Sequence, residues 1–113
     1  MERYDVVLVR FPFTDYSASK LRPALVLSKD NSKLDVIVSF ISSVLPCQEE
    51  NDEFVINGSH PSFSKTGLKK DSVFKMRKIA TLDKKIIIGK MGKIEESLQT
   101  VLDSLLKKTL GLG

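Results

Sequence analysis

Asp5-Val-Val-Leu-Val-Arg-Phe11, closed by Pro12, is the stretch that decides the fold. Its residues are apolar and mostly β-branched, and they stop at a proline after seven positions. That pattern is a strand and not a helix. Pro23 opens a second strand, Ala24-Leu-Val-Leu-Ser28, because proline is tolerated at a strand start. Residues 13–22 between them are polar and form a loop. Asp30-Asn31-Ser32 then supplies a turn, and Asp35-Val-Ile-Val-Ser-Phe-Ile-Ser42 is a third strand.

Beyond this core the pattern continues. Glu53-Phe-Val-Ile-Asn57 is a short strand with Asn57-Gly58 as its turn. Two further strands lie near Ser72–Met76 and Lys78–Leu82, and Ile86-Ile-Ile88 fits strand or helix equally. Ile94, Leu98, Val101, Leu102, Leu105 and Leu106 recur at spacings of three and four, which predicts an amphipathic helix. Glu95 and Glu96 in its first turn and Lys107 and Lys108 in its last complement the helix dipole, and Gly111 lies just past its end. Strands followed by one terminal helix, in 113 residues, predict a mainly β (β+α) fold. We expect a small, strongly curved antiparallel sheet or barrel with the helix packed on it, as one domain over 1–113.

Composition narrows the chemistry. The chain is 42% hydrophobic and 28% charged, with a net charge of +4. One cysteine, Cys47, cannot form an internal disulfide or a cysteine-based zinc site, and one histidine, His60, cannot supply a histidine pair. His60 reads as a solvated loop residue and Cys47 as a small packed one. There is no Gly-rich phosphate loop, GxSxG, HExxH or CxxC. No apolar run approaches a membrane span, and Asp5 and Arg10 interrupt the N-terminal apolar stretch, so a reduced cytoplasmic compartment is expected. Charge is divided along the chain. Pro46 to Ser62 holds Glu49, Glu50, Asp52 and Glu53 with no Lys or Arg, whereas Lys65 to Lys93 is net +8.

The remaining candidates are polar residues at strand ends. Arg22 precedes Pro23, which pushes it into an extended conformation, and a guanidinium so held suits a phosphate. Ser42 and Ser43 end the third strand and place hydroxyls at one edge of the sheet. From composition alone, a surface ion pair for Arg22 and a loop start for Ser42-Ser43 are the preferred readings.

At these positions the chain resembles the MazF/PemK family of toxins. Asp5-Val-Val-Leu-Val, a loop, and Arg22-Pro-Ala-Leu-Val-Leu-Ser28 are similar to its N-terminal signature. Phe40-Ile-Ser-Ser43 falls where the family has Pro-Ile-Thr-Ser, and Gly67-Leu-Lys-Lys-Asp-Ser-Val73 with Ile79-Ala-Thr-Leu-Asp83 resembles a later signature. Gly92-Lys-Ile94 and the terminal helix follow in the family order. The resemblance implies an SH3-like antiparallel β-barrel with a C-terminal α-helix, acting as a homodimer. It implies the toxin of a type II toxin–antitoxin system, a metal-independent, sequence-specific endoribonuclease (an mRNA interferase) without cofactor. Such an enzyme cleaves single-stranded RNA by 2′-OH attack, leaving 2′,3′-cyclic phosphate and 5′-OH ends. Its partner would be a cognate acidic antitoxin whose flexible tail occupies the RNA groove.

Carried over residue by residue, the resemblance gives Arg22 and Ser42 the catalytic roles. It gives Asp15, Tyr16, Lys20, Ser43, Lys75 and Arg77 a place in RNA binding. Three departures stand out. Tyr4 replaces the family's glycine before the first-strand Asp, Phe40 replaces a proline, and Arg77 stands where some members carry an acidic residue. Arginine cannot act as an ordinary general base, which leaves Asp15 and Tyr16 as candidates for that role. Two rival readings follow from the lost carboxylate and the positive charge. One is a degenerate toxin-fold protein that binds a protein target, as gyrase poisons do, and the other is a module for acidic peptides.

Overall fold

The computed structural model describes residues 1–11 and 20–113. It contains six strands: β1 (Asp5–Phe11), β2 (Lys20–Val26), β3 (Asp35–Ser42), β4 (Glu53–Ile56), β5 (Ser72–Asp83) and β6 (Ile87–Lys93). Helix α1 (Phe63–Thr66) precedes β5, a single 3-10 turn (Lys84–Ile86) joins β5 to β6, and α2 (Glu96–Leu110) closes the chain. The strands form one antiparallel sheet in the order β4-β5-β3-β2-β1-β6.

Strands β1 to β3 contribute buried residues to both faces over part of their length, which is why their sequences run apolar there instead of alternating. One face carries Val6, Leu25, Leu27, Ile41, Phe74 and Met76 and packs against Ile94, Leu98 and Leu102 at and within α2. The other carries Val7, Val9, Ala24, Val26, Val36 and Val38, covered by Phe40, Leu82, Ile86 and Ile87. Fully burying a leucine such as Leu102 contributes about 1.5–3 kcal/mol, so α2 is held chiefly by this seam.

The connection between β5 and β6 forces the sheet to curl. In a flat sheet these strands would lie four spacings apart, about 19 Å. Only Lys84–Ile86 joins Asp83 to Ile87, which spans at most about 14 Å. The sheet therefore bends over its second core, giving the expected barrel-like fold with a C-terminal helix, although the hydrogen-bonded ladder does not close.

Several expected boundaries move. Strand β2 begins at Lys20 and so contains Pro23, instead of starting there. Pairing with β3 begins only at Ala24, and beyond it β2 has an edge on that side where a proline fits. The two strands expected over 72–82 are one twelve-residue strand. A bulge lets Ser39 pair with Ile79 while Phe40 pairs with Lys75, and this breaks the alternation near Arg77. The ambiguous Ile86–Ile88 divides between the 3-10 turn and β6. Cys47 is exposed and not packed. His60 is half-buried, accepts at Nδ1 from the Ser62 amide at 3.0 Å and meets Phe54 edge-to-face, so it fastens its own turn.

Tyr4 has φ +73°, the left-handed region that favours glycine. The strain is held by burial and polar contacts. Its backbone amide donates to Val26 O at 2.8 Å, and its hydroxyl donates to Asp103 on α2. Arg3 stacks over the Tyr4 ring and donates to the same carboxylate at 2.6 Å and to Leu27 O at 2.8 Å. Burial and the Asp103 contact push the Tyr4 hydroxyl far above its ordinary range. Partial burial alone would raise the Asp103 carboxyl, but hydrogen bonds from Arg3 and Tyr4 outweigh it and hold that group below its usual value.

At the far edge, β4 is short and guarded. Glu49 Oε2 accepts from the Val55 amide at 2.6 Å, and Glu53 Oε1 accepts from the Glu50 amide at 3.0 Å. Side chains of the acidic segment thus occupy main-chain groups of the edge and its approach.

Candidate functional site

The ladder between β2 and β3 pairs Val26 with Val38, Leu25 with Ser39 and Ala24 with Phe40, and then stops. Continued by two residues, the same register would set Arg22 opposite Ser42. Instead each strand stays with its outer neighbour. Arg22 pairs with Val9 on β1, and Ser42 pairs with Val73 on β5. A cleft of about 230 Å³ opens where the ladder is interrupted.

Arg22 lines one wall, Ser42 and Ser43 the other, and Lys69, Lys70 and Ser72 close the end. Leu68, largely buried, and Met91 add apolar contact. The volume lies below the ~300–1,000 Å³ of small-molecule pockets, so the cleft suits part of a chain and not an enclosed ligand.

Its charge is one-sided. Among the described residues no Asp or Glu lines it. The ion pairs among the described residues are Arg3–Asp103, Lys90–Asp5 and the N-terminal amine with Asp30. None involves Arg22, Lys69 or Lys70, and Arg22 is exposed. Ser42 Oγ accepts from the Val44 amide at 3.0 Å, which leaves its proton to donate outward. These groups can bind an anion with charge-assisted and hydroxyl hydrogen bonds.

Larger grooves lie elsewhere and have the opposite character. One of about 520 Å³ is lined by Glu50, Asn51, Asp52, Arg77, Lys108 and Thr109. Its neighbour adds Glu49 and Glu53 with Phe54, Val101 and Leu105. Carboxylates on these walls repel phosphate, so size does not decide the site.

Of the residues singled out from sequence, the structure brings Arg22, Ser42 and Ser43 together. Arg77 lies in the acidic groove beside α2, not in the cleft. Lys75 pairs with Phe40 and Glu53 on β5 and does not line the cleft, nor does Lys20 at the start of β2. Asp15 and Tyr16 lie outside the described residues. Sequence reasoning held Lys69, Lys70 and Ser72 within a quoted signature and the basic second half of the chain, but singled out none of them for the site. The signal was the adjacent lysine pair after Gly67, whose place at the end of β3 only the fold supplies.

The profile of the PemK-like, MazF-like toxins of type II toxin–antitoxin systems matches residues 2–110. The chain belongs to this family. Solved structures agree with the MazF-like fold. The MazE-MazF structure (Form-II) from Deinococcus radiodurans superposes with a TM-score of 0.75 at 17% identity, covering 100% of this chain and 97% of that one. A mycobacterial endoribonuclease in complex with its cognate antitoxin gives 0.72 at 17% identity, covering 100% and 97%. Mycobacterium tuberculosis toxin MazF-mt6 gives 0.71 at 14% identity, covering 95% and 96%. No protein of curated function matches the sequence significantly. In this MazF-like toxin no helix among the described residues is long and apolar enough to cross a membrane, and no group of metal-ligating side chains forms among them.

Proposed function

We propose that this MazF-like toxin is an endoribonuclease that cleaves single-stranded RNA at the cleft between β2 and β3, without a metal. The observation that carries the reading is the meeting of Arg22 and Ser42 in a cleft whose described lining holds no carboxylate. In the step we assign, the substrate's 2′-oxygen attacks the adjacent phosphorus and the bond to the 5′-oxygen breaks. The 2′-OH proton leaves to a base and the departing 5′-oxygen takes up a proton, giving a 2′,3′-cyclic phosphate and a 5′-OH. Arg22 stabilises the charge that grows on the phosphoryl oxygens, and the Ser42 hydroxyl donates a second hydrogen bond. Asp15 and Tyr16 remain the candidates for the base.

The antitoxin complexes among the structural neighbours support a cognate antitoxin as partner, and the positive lining of the cleft fits an acidic one. A homodimer is proposed with it, because one short cleft per chain engages little of a long strand.

Incubating the protein with a long single-stranded RNA in EDTA, followed by end-group analysis, tests the reading. We expect cyclic-phosphate and 5′-OH ends. Arg22→Ala should lower the cleavage rate about 10²–10³-fold with the fold intact. Equal cleavage by a folded Arg22→Ala protein removes Arg22 from the mechanism. One observation favours a second reading: the described residues lining the cleft include no carboxylate or imidazole to serve as base. A cleft without a base would bind an acidic peptide or protein target and cut nothing, and the same incubation would then return intact RNA.

A further inference from the structure

The described residues of the cleft carry more positive charge than one phosphodiester balances. Arg22, Lys69 and Lys70 all line it, and none is in an ion pair among the described residues. A phosphodiester has a single negative charge, and Arg22 with Ser42 is already a sufficient partner for it. The two lysines are therefore available to a second group of the same kind.

Their backbone is fastened on both sides. The Leu68 amide donates to Thr66 Oγ1 at 3.1 Å, and Ser72 Oγ donates to Lys70 O at 2.8 Å. Asp71 Oδ1 accepts from the Gly58 amide at 2.9 Å, which ties the segment to the turn after β4. Behind it, the chain presses so closely on β6 that side chains are excluded. A Cβ on Gly67 would sit 2.1 Å from Met91 O, and one on Gly92 would sit 2.3 Å from Lys65 O. Lys69 and Lys70 are exposed side chains on a main chain with little room to move. Lysine, a point charge without planar geometry, suits a phosphate gripped regardless of base.

We propose that Lys69 and Lys70 form a second phosphate subsite, which grips the RNA phosphate adjoining the one at Arg22 and Ser42 and so sets the register of the strand in the cleft. The proposal rests on the reading of the chain as an RNA nuclease. They are positioning residues, whereas Arg22 acts on the reacting phosphate.

The test measures binding of a fully 2′-O-methylated, uncleavable RNA across a range of salt, alongside cleavage of its unmodified counterpart. For single strands the log–log salt slope is about −0.7 per phosphate neutralised. The double variant Lys69→Ala/Lys70→Ala should lose about 0.7 from the slope's magnitude. Its KM should rise by a larger factor than its kcat falls, and arginine at both positions should restore the slope. Thermal unfolding at the wild-type midpoint shows that the variant is folded. An unchanged slope and KM in the folded variant overturn the subsite. Wild-type protein that binds RNA but cuts none sinks the nuclease reading alone, and the slope still decides on the lysines. Protein that binds an acidic peptide and no RNA overturns both.

Discussion

Ser42 and Ser43 are neighbours with different prospects. Adjacent strand residues face opposite ways, and the register of β2 and β3, if extended two residues past Ala24 and Phe40, would set Ser42 opposite Arg22. Ser42 ends β3 within the ladder, while Ser43 lies beyond it and is exposed. Ser42→Ala should therefore slow cleavage more than Ser43→Ala, and Ser42→Thr, which keeps the hydroxyl, should stay active. A stopped-flow or gel assay on the three variants decides this, and a more damaging Ser43→Ala would move the reacting phosphate by one residue. Tyr4 makes a second prediction at this scale, and it inverts the usual order. Inside a helix or strand glycine normally costs about 0.5–1 kcal/mol relative to alanine, but Tyr4 sits in the turn that enters β1. At φ +73° alanine is strained by roughly 1–2 kcal/mol, and glycine is not. Both truncations lose the buried ring and its contact with Asp103, so both lower the denaturation midpoint, but Tyr4→Gly should unfold later than Tyr4→Ala. The departure from the family's glycine was visible in the sequence. Its consequence was not, because the compensating carboxylate lies 99 residues away.

Among the elements, β1 and β3 were legible to the residue, because each is a short, mostly β-branched apolar run that contributes buried residues to both cores. The terminal helix was legible from its spacing, shifted only at its ends to Glu96–Leu110. The bulge opposite Ser39 was not, since a register slip is a property of two strands and sequence periodicity reports one. Helix α1 escaped because four residues are too few to show a period. The candidate site was half legible. Ser42 ends the strand the sequence marks and Arg22 is flagged by Pro23, although it lies inside β2, whereas Lys69 and Lys70 reach the cleft through the packing of α1 on β6. That packing gives the element-scale prediction. A methyl at Gly92 would meet backbone of Lys65 and Thr66, so one element must shift. Gly92→Ala should lower stability by about 1–3 kcal/mol, read from urea unfolding, and should weaken RNA binding by displacing the lysines. The same change at Gly89, where a Cβ meets nothing within 4 Å, is the control.

For the molecule as a whole, the cluster of Arg3, Tyr4 and Asp103 ties the entry of the first strand to the last helix. Its protons make that tie depend on pH in two directions. Asp103 is held below its usual value, so its contribution is complete above the ordinary carboxylate range and is lost as pH falls through the lowered value. Tyr4 is raised, so its contribution is complete below about pH 10 and is lost as pH climbs beyond it. Asp103→Asn should therefore be less stable than wild type near neutrality. The two unfolding midpoints should converge as pH is lowered through the acid range. A constant gap between them down to pH 2 would show that Arg3 and Tyr4 do not depend on the charge of Asp103.

The guarded β4 edge has a consequence for crowded solutions. Sheets with open borders recruit one another, and fibrils are the extreme outcome. Here the donor a newcomer would seek at Val55 is already engaged by Glu49 of the same chain. Growth of the sheet past β4 would first have to evict a charged side chain from its own backbone. A protein of this family can therefore accumulate beside its many copies while that border stays closed to them.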